Sequence, residues 1–408
     1  MRYSGLLLLL LLSGCKQGRP QATMAPPPGN VVLYAERFQG ADIGAQVNAA
    51  IGALPLIPAV YPGEAGQHCG TVMLTPGRYD QKTTILKPNC VWIEGNGAQL
   101  VYQGSSYSVI EAGPVLKNRT FSGAIGGVRN LWLNGGADPT KGPDSKSGYA
   151  GVMIGGDPSG ATPGDFGAWA QVNSELHIEG FQNGVIIGRY SSLSVFLGGV
   201  INENGTGVWY PNNALGSGEA YSFYGTQLNN NHDQGVRDDA CGEIRMHGGS
   251  IDYTGGVPGQ PFYHGNRYAV NGSCVDFQAY GVHFEQDGGP LLHVIGGSTS
   301  LYGGEVYASR EKGNSPAYVL TEGKDAKFAS FGTSFYAHHT VSARTQHTGA
   351  GSDVVGDTAA PDHVSWSSGR GTPPNTSGCA NGSLYSNTAG TVGATLWVCV
   401  EGHWKPVQ

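Results

Sequence analysis

Four side chains in the middle of the chain, Asp252, His283, Glu285 and Glu305, are of the kinds that move protons. Each sits one residue before or after an apolar residue that follows a glycine by three positions. Side chains alternate along a strand, so if the apolar residues point inward these four share an outer face. Two carboxylates held side by side repel when both are ionised, which raises one pKa and makes an acid and a base from like groups. Retaining glycosidases hold such a pair about 5–5.5 Å apart and inverting ones about 6.5–9.5 Å. Asp252, Glu285 and Glu305 are therefore the expected acid, base or nucleophile of a glycosidic cleavage. An elimination would need a base beside a uronic carboxylate and a cation to stabilise the enolate, with His283 or Tyr307 as base and Arg245 or Arg310 as cation. Immediately before the glycines stand Tyr224, His247, Tyr280 and Tyr302. Rings there are expected to stack on pyranose C–H surfaces beside the carboxylates.

The elements that must position these groups repeat. Phe196-Leu197-Gly198, Phe223-Tyr224-Gly225, Met246-His247-Gly248, Ala279-Tyr280-Gly281, Leu301-Tyr302-Gly303 and Ser330-Phe331-Gly332 follow one another at spacings of 27, 23, 33, 22 and 29 residues. Three residues past each glycine comes Ile201, Leu228, Ile251, Phe284, Val306 or Phe335. Fixed strand positions with turns of variable length predict a parallel β-helix, in which coils stack about 4.8 Å apart. The composition agrees. With 67 Gly and 23 Pro in 408 residues a mostly helical protein is excluded, while 39% hydrophobic residues and only 13% charged ones describe a folded chain. A formal charge of −7 and the lack of any Lys/Arg run argue against nucleic acid as a partner. One amphipathic helix is expected, with Asp42 as N-cap before Ile43, Val47, Ile51 and Leu54.

The run from Gly70 to Gly97, together with the repeats, resembles the pectate-lyase-like superfamily of right-handed parallel β-helix proteins. The resemblance spans roughly residues 35 to 350 and implies an all-β, single-stranded coil stack with the N-terminal helix as its cap. It leaves the activity open among polysaccharide lyases, glycoside hydrolases, epimerases, phage tailspikes and adhesins. Arg237-Asp238-Asp239 before Cys241 is similar to the paired aspartates of polygalacturonases, but the Asn-Thr-Asp, Gly-His-Gly and Arg-Ile-Lys elements that accompany them are missing. Asp238 and Asp239 are the one place where calcium could bind, and a strand end is the plainer reading; no other cofactor is expected. His177, His338 and His339 have no partner in the sequence and carry no assignment. The polar inserts Asn134 to Gly148 and Gly155 to Gly167 read as loops, of the kind that can wall a groove.

The termini read as follows. Arg2, the apolar run Leu6 to Leu12 and Leu12-Ser13-Gly14-Cys15 describe an export signal over residues 1–14 with lipid on Cys15. Residues 15–30 then form a Pro-rich tether, 31–360 the β-helix and 361–408 a small β-hairpin module. The six cysteines left in an oxidising compartment are expected to pair as Cys69–Cys90, Cys241–Cys274 and Cys379–Cys399. The expectation is an exported protein, lipid-anchored to the cell envelope at the outer membrane, monomeric or homotrimeric, that binds and cleaves a polysaccharide, with hydrolysis ahead of elimination. The alternatives are a non-catalytic glycan-binding adhesin and a phage-tail-like structural β-helix.

Overall fold

The computed structural model describes residues 31–57, 66–114, 125–138, 141–157, 166–214, 219–255, 268–287, 291–309, 317–322, 326–337, 343–347, 352–356, 366–369, 384–387, 396–400 and 403–407. The export segment with Cys15, and also Arg310, His338, His339 and Cys379, lie outside them. No helix among the described residues is long and apolar enough to cross a membrane.

The strands from Val32–Tyr34 to Ser352–Gly356 form the expected parallel β-helix. Each central coil contributes three short strands to three columns. In one coil these are Tyr221–Tyr224, Gln227–Asn229 and Gln234–Asp238, and in the next Glu243–His247, Ser250–Asp252 and Tyr268–Gly272. Each strand pairs in parallel with its equivalent one coil on, as Phe223 with Met246, Leu228 with Ile251 and Val236 with Val270. The inward residues form one continuous core: Ile201, Leu228, Ile251, Phe284 and Val306 are all buried, and Phe335 packs partly buried against them. The helix Ile43–Ala53 begins at Asp42, whose carboxylate accepts from the Ala45 N–H at 3.0 Å. It is tied to the first coils by Asn48, which donates to Thr84 and accepts from Leu86. Towards the C-terminus, Leu384–Asn387, Leu396–Val400 and His403–Pro406 pair antiparallel, and Trp366–Gly369 joins them in parallel, so a four-stranded sheet stands where a hairpin was expected.

The bend between the first two columns explains the glycine repeat. Gly198, Gly225, Gly248, Gly281, Gly303 and Gly332 all have φ between 63° and 68°, the left-handed region. An added Cβ at any of them would meet nothing within 4 Å, so the requirement is conformational rather than steric crowding. Each N–H there donates to the preceding-position carbonyl of the next coil, as Gly248 to Tyr280 at 2.8 Å. Two earlier coils make the same bend with Asn130 at 52° and Glu175 at 52°. A search anchored on glycine passes over them.

Two polar devices are buried in the stack. Asn204 and Asn231 lie one above the other at the bend after the second column. Asn204 donates to the Asn231 side chain at 3.2 Å and to the Ile178 carbonyl, while Asn231 donates to the Ile201 carbonyl. Lys87 is fully buried 3.4 Å from Glu111 and donates to Gln171 at 2.6 Å; Glu111 accepts in turn from Asn173. Burial lowers the Lys87 pKa, with Glu111 opposing. Both expected disulfides within the described residues are present, Cys69–Cys90 and Cys241–Cys274.

Gly248→Ala should cost about 1 kcal/mol, because it forces a left-handed L-residue without removing a contact, whereas Glu175→Gly, which relieves the same strain, should gain about as much; urea unfolding of the two variants checks the pair. Lys87→Met should cost roughly 3–5 kcal/mol by leaving Glu111 buried and uncompensated, and restoring stability in a Lys87→Met/Glu111→Leu double variant would identify the ion pair as the cause.

Candidate functional site

The residue after each inward anchor forms one outer column along the second strands. It reads Val101, Asn134, Glu179, Asn202 over the early coils, then Asn229, Asp252, Glu285, Tyr307, Tyr336. The neighbouring outward position carries Ser250, His283, Glu305 and Ser334 in register. Stacking thus brings together Asp252, His283, Glu285 and Glu305, which are spread over more than fifty residues of sequence. The imidazole stands among three carboxylates: His283 Nε2 is 3.9 Å from Asp252 and 3.6 Å from Glu285, and Nδ1 is 3.4 Å from Glu305. Asp252 is the most buried of the four, at 14% side-chain exposure against 54% for Glu305. Burial raises its pKa, and the Glu285 charge adds to this, while the Ser250 hydrogen bond and the His283 charge oppose it. Tyr307 follows Glu285 in the column.

The aromatic column stands where expected but is oriented differently. Tyr224, His247, Tyr280, Tyr302 and Phe331 are in register on successive first strands. Their rings stack on one another, with centroids 4.5, 4.8, 4.8 and 5.5 Å apart and planes within 14° of parallel. Coils spaced by a strand-to-strand distance set identical side chains one above another, so the ring faces satisfy each other and leave edges to solvent. Sugar stacking on these faces, the role expected from the sequence, is corrected to an edge-presenting ridge. Arg245, on the same strand as His247, is ion-paired with Glu243.

Asp238 and Asp239 have structural duties. Asp238 is fully buried, and its oxygens accept from the backbone N–H groups of Ala240, Gly242 and Asp276 at 3.0, 3.3 and 2.9 Å. Burial pushes its carboxyl up to about 7 against those donors. Asp239 accepts from Arg237 at 2.6 Å and from the Trp209 indole at 3.2 Å. Among the described residues no three His, Cys, Asp or Glu side chains are grouped as a metal ion would require.

A second acidic site lies earlier in the same column. Glu179 accepts from Asn134 at 2.7 Å, and its other oxygen is 3.0 Å from His177 Nε2. The His177 ring stacks on Trp132, 4.7 Å between centroids. Glu203 occupies the next bend with φ 53°, an uncommon backbone state for glutamate. Glu179, Asn134 and Glu203 border a cavity of about 430 Å³, with Arg78, Asp138, Gly142 and His232 also in its lining. The insert beginning at Asn134 therefore does wall a groove. His177 stands without a partner in the sequence, and this coil lacks the repeat's glycine because Glu175 takes its place.

No protein-family model matches the chain, and no curated protein resembles it closely enough to be a relative. Solved structures share its fold. A protein of Geobacillus virus E2, ORF18, is 12% identical with a TM-score of 0.53, covering 81% of this chain. The enzymatically active domain of tailspike protein 2 from bacteriophage CBA120 is 12% identical with a TM-score of 0.49 over 83% of this chain. The A-module of the Azotobacter vinelandii mannuronan C-5 epimerase AlgE4 is 15% identical with a TM-score of 0.44 over 80% of this chain and 100% of its own length. The chain spans 62% of the length of the Geobacillus virus structure and 47% of the tailspike domain. At these identities the likeness is one of fold.

The raised Asp252 pKa fixes a sign. Between its ordinary value of 3.8 and the raised folded value, the folded state binds more protons than the unfolded, so stability falls as pH rises through that window. Asp252→Asn should be more stable than the parent at neutral pH, with the difference shrinking as pH drops through that window and gone below 3.8; thermal unfolding across that range measures it.

Proposed function

We propose that the protein binds a glycan along the outer face of its second strands and hydrolyses it at the Asp252–His283–Glu285–Glu305 cluster. The observation that carries this reading is one imidazole held within 4 Å of three carboxylates on adjoining coils. Asp252, whose charged form is disfavoured, is the proton donor to the glycosidic oxygen. Glu285 is the carboxylate that activates water or attacks the anomeric carbon, and His283 with Glu305 fixes the charge balance between them.

Hydrolysis is favoured over elimination by charge. A uronate needs a cation facing its carboxylate, and Arg245, the expected one among the described residues, is engaged with Glu243. The export signal and the Leu12-Ser13-Gly14-Cys15 run support a place on the cell envelope through lipid on Cys15.

With a panel of neutral and acidic polysaccharides, the full chain should release reducing ends without the ultraviolet absorbance of an unsaturated uronate. Asp252→Asn/Glu285→Gln should lower the rate at least 10²-fold, in keeping with loss of acid–base catalysis, while glycan retention on a column persists. Retention without release in the parent protein would instead establish a glycan-binding surface protein, and an absorbance signal would establish a lyase.

A further inference from the structure

The cavity beside the early coils is separate from the Asp252 cluster and shares no residue with it. Coils carrying Asn202 and Asn229 lie between Glu179 and Asp252 in the column, which places three strand spacings, about 14 Å, between the two. Separate parts of the chain build it: the strand Arg78–Gln81, the strand Val91–Tyr102 through Val101, the insert after Asn134, the bends at Gly180 and Glu203, and His232. The insert is seated firmly. Its Gly142 lies so close to the buried His232 that a Cβ there would meet the ring at 1.9 Å, and Gly142 donates its N–H to the Asp138 carbonyl at 2.8 Å. At about 430 Å³ the space falls in the range of small-molecule sites.

The lining is rich in acceptors. Asp138, Glu179 and Glu203 supply carboxyl oxygens, and Asn134 already gives its side-chain N–H to Glu179. Lys141 pairs with Asp138 at 3.4 Å, which leaves Arg78 as the other guanidinium or ammonium group at the wall. The two glutamates are driven apart in acidity. Burial opposes ionisation of Glu179, but hydrogen bonds and charge from His177, with Asn134 and Trp132, outweigh it and lower its pKa. Burial raises Glu203, the Glu179 charge adds to this, and His177 partly offsets it. Glu179 is thus the more readily ionised of the two.

We propose that this cavity is a carbohydrate subsite that holds one neutral or amino sugar residue, gripped by Glu179, Glu203 and Asn134 and enclosed by Gly136, Ala137, Asp138 and Gly142 of the insert. Sugar hydroxyls and an ammonium group bring donors to its three carboxyl groups, whereas a uronate brings further acceptors that Arg78 alone of the wall's cations would answer. A glycan end or branch anchored here would extend along the column towards Asp252, but occupancy of the cavity does not depend on catalysis at Asp252.

Calorimetric titration of the full chain with galactose, glucose, mannose, N-acetylglucosamine, glucosamine and glucuronate tests it. At least one neutral or amino sugar should bind, and glucuronate should bind about tenfold more weakly or not at all. Glu179→Gln should weaken that binding about tenfold, the loss of a hydrogen bond to a charged group. Ala137→Leu, which adds bulk at the wall without touching a charge, should also abolish it. Asp252→Asn/Glu285→Gln should leave it unchanged, which separates failure of the cavity from failure of the cleavage reading. Absence of binding by all six sugars, preference for glucuronate, or equal binding by the parent and both cavity variants would overturn the proposal.

Discussion

Every functional feature of this protein depends on in-register parallel hydrogen bonding between coils. Once a strand is paired with its equivalent one coil on, each outer position becomes a column, and residues tens of positions apart in sequence stand a strand spacing apart in space. The left-handed bend at Gly248 and its equivalents keeps that register. It turns the chain between two columns at the same place in every coil, so insertions are confined to the remaining loops. The inward anchors Leu228, Ile251, Phe284 and Val306 then bury one side, and alternation commits their neighbours to the outside.

The same geometry that makes a site also constrains its chemistry. Like residues stacked at about 4.8 Å either attract or repel. The aromatic residues from Tyr224 to Phe331 attract and close their faces on each other. Carboxylates stacked in this way repel, and the structure answers with an imidazole: His283 stands among Asp252, Glu285 and Glu305, and His177 stands beside Glu179 with Glu203 one coil on. Both groups couple partial burial to a neighbouring negative charge, which raises Asp252 in one and Glu203 in the other. Asp238 shows the contrasting case, in which a buried carboxyl is matched to three backbone N–H groups and serves the turn beside the Cys241–Cys274 disulfide.

The early coils differ from the later ones in what the interior holds. Lys87, Glu111, Gln171 and Asn173 form a closed polar network within the stack, whereas the central coils are filled by Phe223, Met246, Phe277 and Phe284. The insert that walls the cavity rises from these early coils.

Sequence alone determined the coil stack, the helix start at Asp42, two disulfides and the outer register of Asp252, His283, Glu285 and Glu305. Those follow from local rules: glycine where φ is positive, alternation along a strand, and an N-cap carboxylate before an apolar period. What it missed follows from the same rules. Glu175 adopts the bend that glycine usually makes, so the coil carrying His177 and Glu179 broke the pattern, and only the pairing of His177 with Val200 restored it. Ring orientation, the seat of the insert on His232 and the opposed acidities of Glu179 and Glu203 were decided by tertiary structure alone. They depend on contacts between coils and loops whose separation in the chain carries no periodic signal.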